Sequence, residues 1–181
     1  MNRTTWLVAV ALATIAAASI AGPVAAVSGK TGFGFRAADI GGFRTGVASL
    51  SGGGVFDPTT GVGHGSGGFS CLEDVAQGPL TGCLAGQGVR WDTDSLARST
   101  TFKCTGAPTE ALKSATTNPS TVVIHADFYR AGDANDESFR ALIIVSQTDI
   151  APDIDGVQNV WIQGVGCGTA VGSVNSGGPA A

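Results

Sequence analysis

Residues 121–130, TVVIHADFYR, and residues 138–147, SFRALIIVSQ, decide the fold. In the first run Val122, Ile124, Ala126 and Phe128 fall on one side of an extended chain. Val123, His125, Asp127 and Tyr129 fall on the other, which is the two-residue alternation of a β-strand. In the second run Phe139, Ala141, Ile143 and Val145 share a side, while Leu142 and Ile144 make the opposite side apolar as well. A strand that is apolar on both faces is a central strand, covered twice. The turn-forming segment Ala131–Glu137 lies between the two runs and makes them hairpin partners.

The same alternation extends outward from this hairpin. Phe33 and Phe35 alternate with Gly34 and Arg36 in a first strand. Val47–Leu50 and Val55–Phe56 flank Gly52-Gly53-Gly54, a hairpin or bulge signal. Asp57–Gly61 is a turn in which Pro58 presets φ and Gly61 can follow at positive φ. Val89–Trp91, Thr100–Thr105 and Asn159–Cys167 read as further strands, the last placing Trp161, Val165 and Cys167 together. Glu110–Thr116 alone reads as helical, a turn or two capped by Thr109 and ended by Asn118-Pro119. The expectation is an all-β, single-domain β-sandwich, or a partly closed barrel, with one short helix. Composition agrees: 28 glycines and only 13% charged residues suit short strands and tight turns rather than helical bundles.

The amino terminus has a different character. Arg3 supplies a positive start, Leu7–Ala21 carries no charge, and Gly22-Pro23 precedes the small residues Val24-Ala25-Ala26. That is the layout of a secretory signal peptide, residues 1–26, with cleavage after Ala26. The apolar run falls short of the roughly 20 residues that cross a bilayer comfortably, so no transmembrane segment is expected after cleavage. The single secreted domain is then 27–181, with fourteen acids against nine bases. That mild acidity argues against nucleic acid, whose binders carry clustered Lys and Arg, and against adhesion to anionic lipid.

Four cysteines, Cys71, Cys83, Cys104 and Cys167, read as two disulfides in an exported chain. Three connectivities are open. The favoured one pairs Cys71 with Cys83 in a local loop and Cys104 with Cys167, tying mid-chain to its end. Each bridge contributes about 2–4 kcal/mol by restricting the unfolded chain. No pair is spaced C-x-x-C, so zinc ribbons and thioredoxin-like chemistry have no support.

Few residues suggest chemistry. His125 and Asp127 project from one strand face, where an acid can orient an imidazole, and a serine would complete a hydrolytic site. No G-x-S-x-G elbow accompanies them. His64 lies in Gly61–Gly68, which lacks the phosphate-loop pattern; both histidines are otherwise ordinary structural residues. Asp133, Asn135 and Glu137 alternate like a calcium loop, but Ser138 stands where the sharp-turn glycine belongs and Ile144 where the bidentate glutamate belongs. A looser calcium site would need Asp153 and Asp155 from a second loop; apart from it no cofactor is expected. Asp and Asn also simply make good turns. Trp91, Tyr129 and Trp161 are the aromatics a sugar-binding face would use, with Asp92 and Asp94 as acceptors. Trp161 reads instead as core, and Trp91 is divided between the two roles.

Phe102-Lys103-Cys104-Thr105-Gly106, Asp127-Phe128-Tyr129-Arg130 and Gln163-Gly164-Val165-Gly166-Cys167-Gly168 have the look of family hallmarks. With the leader and the alanine- and glycine-rich style, the chain resembles small secreted proteins of high-GC Gram-positive bacteria, of actinobacterial type. The resemblance implies a secreted location, extracellular or at the cell envelope, and carries no activity with it. The expected role is a non-enzymatic binding or structural module with a protein or glycan partner at the cell surface. The alternative is a secreted hydrolase centred on His125 and Asp127.

Overall fold

The computed structural model describes residues 29–129 and 139–175 of the 181-residue chain. The leader, residues 1–26, lies outside the described residues, as does the acidic turn containing Asp133, Asn135 and Glu137. Ten strands are present among the described residues: β1 Thr31–Gly42, β2 Ala48–Asp57, β3 Val62–Cys71, β4 Gly88–Leu96, β5 Ser99–Phe102, β6 Lys113–Thr116, β7 Thr121–Tyr129, β8 Phe139–Ser146, β9 Val160–Ile162 and β10 Gly166–Asn175. Eight of them form a closed antiparallel ring in the order β1-β2-β3-β4-β7-β8-β9-β10, and β10 pairs back onto β1. Each ring strand pairs with its successor in the chain, so this is an up-and-down barrel. The β5–β6 hairpin is inserted between β4 and β7. The all-β expectation holds, and the eight-stranded ring is fully closed. β7 and β8 are indeed hairpin partners, in a register that places Ile124 opposite Ile143 and Phe128 opposite Phe139.

The interior of an eight-stranded barrel has room either for side chains or for one small ligand. Here side chains fill it. Phe35 on β1, Trp91 on β4, Phe128 on β7 and Phe139 on β8 belong to one row of cross-strand partners, completed by Gly52 on β2 and Gly67 on β3. The indole of Trp91 has no exposed surface and lies where side chains of those two glycines would be. A Cβ on Gly67 would stand 2.5 Å from Trp91 Nε1, and one on Gly52 would overlap the indole outright. Trp91 Nε1 donates to Ser51 O at 3.1 Å, which satisfies the only polar atom of the ring. Further edge-to-face packing joins Phe33 to Phe56 at 6.0 Å and Phe69 to Phe128 at 5.5 Å.

Closure also needs bent strands. Register shifts fall between Ala37 and Ile40 on β1, against both of its neighbours, and between Thr93 and Ser95 on β4. Such bulges sharpen local twist and let a sheet curl. Asp57 holds the β2–β3 turn: its Oδ1 accepts from the Thr59 amide at 2.8 Å, and Gly61 takes the expected positive φ of 72°.

A second, smaller core lies outside the ring. The β5–β6 hairpin covers the outer faces of β7, β8 and β9, packing Phe102 and Ala115 against Val123, Ile144 and Trp161. This explains why β8 is apolar on both sides: Ile143 faces the barrel and Ile144 faces the hairpin. Both disulfides are the favoured pairs, Cys71–Cys83 and Cys104–Cys167. The second spans 63 residues and fastens the hairpin to β10, so chain-entropy reasoning assigns it the larger contribution, about 4 kcal/mol against about 3.

The helix expected at Glu110–Thr116 is not formed. Glu110 ends a turn, its amide donating to Ala107 O at 3.1 Å, and Lys113–Thr116 is strand β6, paired with β5. A seven-residue segment cannot repay helix nucleation, whereas as a strand it buries Ala115 and completes the hairpin. The short helix present is a single 3-10 turn, Gly78–Leu80, which buries Leu80.

Glycine at position 52 should therefore be irreplaceable in a way that glycine at position 34 is not. Gly52→Ala should destabilise the fold by about 2 kcal/mol or more through overpacking. Gly34→Ala, where a Cβ meets nothing within 4 Å, should stay within about 0.5 kcal/mol of the parent. Urea denaturation of the two variants checks this.

Candidate functional site

With the barrel interior filled, a groove of about 890 Å³ opens on its outside. That lies within the range of small-molecule sites, about 300–1,000 Å³. Three loops build its walls: the β1–β2 loop at Phe43 and Arg44, the segment around the 3-10 turn at Gln77–Pro79, and the loop from β5 to β6. The floor is Leu142 of β8 and Trp161 of β9. Trp161 is only 4% exposed and belongs to the second core. Its Nε1 donates to Lys103 O at 2.9 Å, and its ring lies 5.4 Å from that of Phe102.

Hydrogen bonds fix the walls. Gln77 is the hub: its Oε1 accepts from Thr45 Oγ1 at 2.6 Å, and its Nε2 donates to Thr45 O and, at 2.9 Å, to Gly164 O. One amide thus joins the β1–β2 loop to the β9–β10 turn. On the opposite wall Glu110 organises the β5–β6 loop. Its Oε1 accepts from the Cys104 amide at 2.6 Å. Its Oε2 accepts from Thr105 N at 2.8 Å, Thr105 Oγ1 at 2.6 Å and Gly106 N at 3.0 Å. Lys113 Nζ stands 2.9 Å from Glu110 Oε1 and 2.9 Å from Asp153 Oδ2. Burial opposes ionisation of Glu110, but the donors from Thr105, Lys113 and the backbone outweigh it and hold its pKa at about 2. Desolvation of the half-buried Lys113 works against its charge, and its two carboxylate partners, Glu110 and Asp153, overcome it and raise its pKa.

The residues singled out from sequence are distributed as follows. His125 and Asp127 do share the outer face of β7, with Ser95 of β4 directly opposite His125. Among the described residues no side-chain hydrogen bond joins His125 to either, and neither His125 nor Asp127 lines the groove. Asp127 instead sits in a row with Asp92 and Arg140, one oxygen buried without a hydrogen-bond partner. Asp92 accepts from Tyr129 Oη at 2.6 Å, and Asp94 lies 3.6 Å from Arg140. His64 is exposed on β3. Trp91 faces the barrel interior, so the sugar-stacking reading of Trp91 with Asp92 and Asp94 is corrected: alternation turns the indole inward and Asp92 outward. Asp153 is engaged by Lys113, Asp155 is exposed, and no three metal-ligating side chains converge among the described residues.

Sequence reasoning did not single out Phe43, Arg44, Gln77 or Leu112, which lie in loops without period. A signal was nonetheless present. Two of the three distinctive segments, Phe102–Gly106 and Gln163–Gly168, meet at the Cys104–Cys167 bridge and both contribute groove lining. No protein-family model, curated protein or solved structure matches the chain.

Because Glu110 titrates near 2 when folded and near 4.5 when free, its contribution is complete above about pH 4.5 and is lost as pH falls from there toward 2. Glu110→Gln should lower stability at pH 7 by about 2–3 kcal/mol, or about 5–10 °C in Tm. The gap between variant and parent should shrink as pH falls below 4.5, which calorimetry across pH 2–7 measures.

Proposed function

We propose that this protein is a secreted or cell-envelope binding module, non-enzymatic, whose ligand seat is the outer groove rather than the barrel interior. The observation that carries the reading is the pairing of a filled barrel with an outer groove of about 890 Å³ walled by three loops and floored by Leu142 and Trp161. Two disulfides suit an oxidising exterior, and they brace the scaffold on which such loops need to be presented. No described helix is long and apolar enough to cross a membrane. The geometry around His125 favours binding over hydrolysis: nucleophile, base and orienting acid are not joined by hydrogen bonds, and the concavity that would hold a substrate lies elsewhere.

The test uses the mature chain, 27–181, and the neutral fluorophore N-phenyl-1-naphthylamine. One molecule should bind per chain, and Leu112→Asp should weaken binding at least tenfold without moving Tm, since Leu112 is 65% exposed on the groove wall. Chromogenic esters, glycosides and peptides should show no turnover that His125→Ala removes. Turnover abolished by His125→Ala or Asp127→Asn at unchanged Tm would establish the hydrolase instead.

A further inference from the structure

The charges around the groove are one-sided, and this selects a ligand. The chain as a whole is acidic, with fourteen acids against ten bases, yet no Asp or Glu lines the groove, whereas Arg44 and Lys103 do. The nearest acid in sequence, Glu110, is turned into its own loop, where amides, a hydroxyl and Lys113 neutralise it. Lys103 Nζ donates to Ala107 O at 2.9 Å and to Pro108 O at 3.5 Å, which fixes it on the wall and leaves one hydrogen to donate. Arg44 is exposed and makes no ion pair or side-chain hydrogen bond among the described residues. Its five-donor fork is thus available beside an apolar floor.

We infer that the groove takes a small amphipathic anion, free in solution: a carboxylate, sulfate, sulfonate or phosphate head at Arg44 and Lys103, and a flat or acyl body against Phe43, Leu112, Leu142 and Trp161. This deepens the binding reading and depends on it. The alternation of a fixed cation, a free cation and aromatic surface matches both halves of such a molecule. The low polarity of the floor strengthens the ionic half, because the charge pair is partly removed from water. Walls from three loops suit a single molecule rather than an extended polymer or a bilayer.

A matched pair of probes tests it. 8-Anilinonaphthalene-1-sulfonate differs from N-phenyl-1-naphthylamine only by the sulfonate. The sulfonate should bind at least tenfold more tightly than the neutral probe. Arg44→Gln should remove most of that preference without moving Tm, and rising salt should weaken only the sulfonate. Leu112→Asp should weaken both. Equal affinities for the two probes, indifferent to Arg44→Gln, would overturn the anion assignment and leave the groove as the binding seat. Failure of both probes to bind, or binding of both that ignores Leu112→Asp, would overturn the groove reading itself.

Discussion

Two strands each give up one inward side chain, at Gly52 and Gly67, so that the barrel can hold an indole. A ring of eight strands encloses little more than one layer of side chains across its width. Phe35, Trp91, Phe128 and Phe139 would overfill that layer if β2 and β3 also contributed bulk, and Gly52 and Gly67 contribute none. Glycine inside a strand costs roughly 0.5–1 kcal/mol in chain entropy, but full burial of one large apolar side chain returns about 1.5–3 kcal/mol. The exchange is favourable, and it explains why glycine stands at positions 52 and 67 within strands. It also fixes where a ligand can go. An interior packed with aromatics has no room to bind anything, so any recognition is displaced to the outside of the wall.

The outside is shaped by a second constraint, the double-sided strand β8. Leu142 and Ile144 cannot face water without loss, and the β5–β6 hairpin is what covers that side. A four-residue strand pair is only marginally stable alone, so the hairpin is fastened from three directions. The Cys104–Cys167 bridge ties its tip side to β10, and Glu110 gathers the amides of Cys104, Thr105 and Gly106 in the loop before it. Thr117 Oγ1, donating to Ala97 O at 2.6 Å and accepting from Val123 N at 3.1 Å, closes its base. The groove is the edge left where this cover stops short of the β1–β2 loop. The groove and the packing of the second core are therefore consequences of the same apolar strand.

The parts legible in the sequence were those governed by period. Alternation in β7 and β8 identified the faces of both strands, their pairing and the central position of β8 in physical terms that carry over residue by residue. The disulfide pairing was only partly readable: all three connectivities use every cysteine, and the short local loop with a long tie from mid-chain to end, the favoured one, is the pairing present. Two things were not readable. The helical reading of Glu110–Thr116 weighed local propensity alone, and that segment is decided by what the Glu110 carboxylate meets: four donors from the loop before it and a lysine three residues on. The groove was invisible for a related reason. Its walls come from loops whose positions depend on ring closure, and Gln77, which joins two of them, contacts residues 32 and 87 positions away.

The acidic character of the chain and the cationic groove are compatible because the two act over different ranges. Much of the negative charge is committed locally: Asp57 caps its own turn, Asp149 accepts from Ala151 and Gln158, Asp153 pairs with Lys113, and Asp92 accepts from Tyr129. What remains is spread over the surface and screened beyond about 8 Å at physiological ionic strength. Inside that distance the field in the groove belongs to Arg44 and Lys103, with an aromatic floor that screens far less than water does. An approaching anion meets only weak repulsion from the protein at large and a strong local attraction once within the walls. A cation of the same shape meets the reverse, so selectivity by charge follows from placement rather than from net charge.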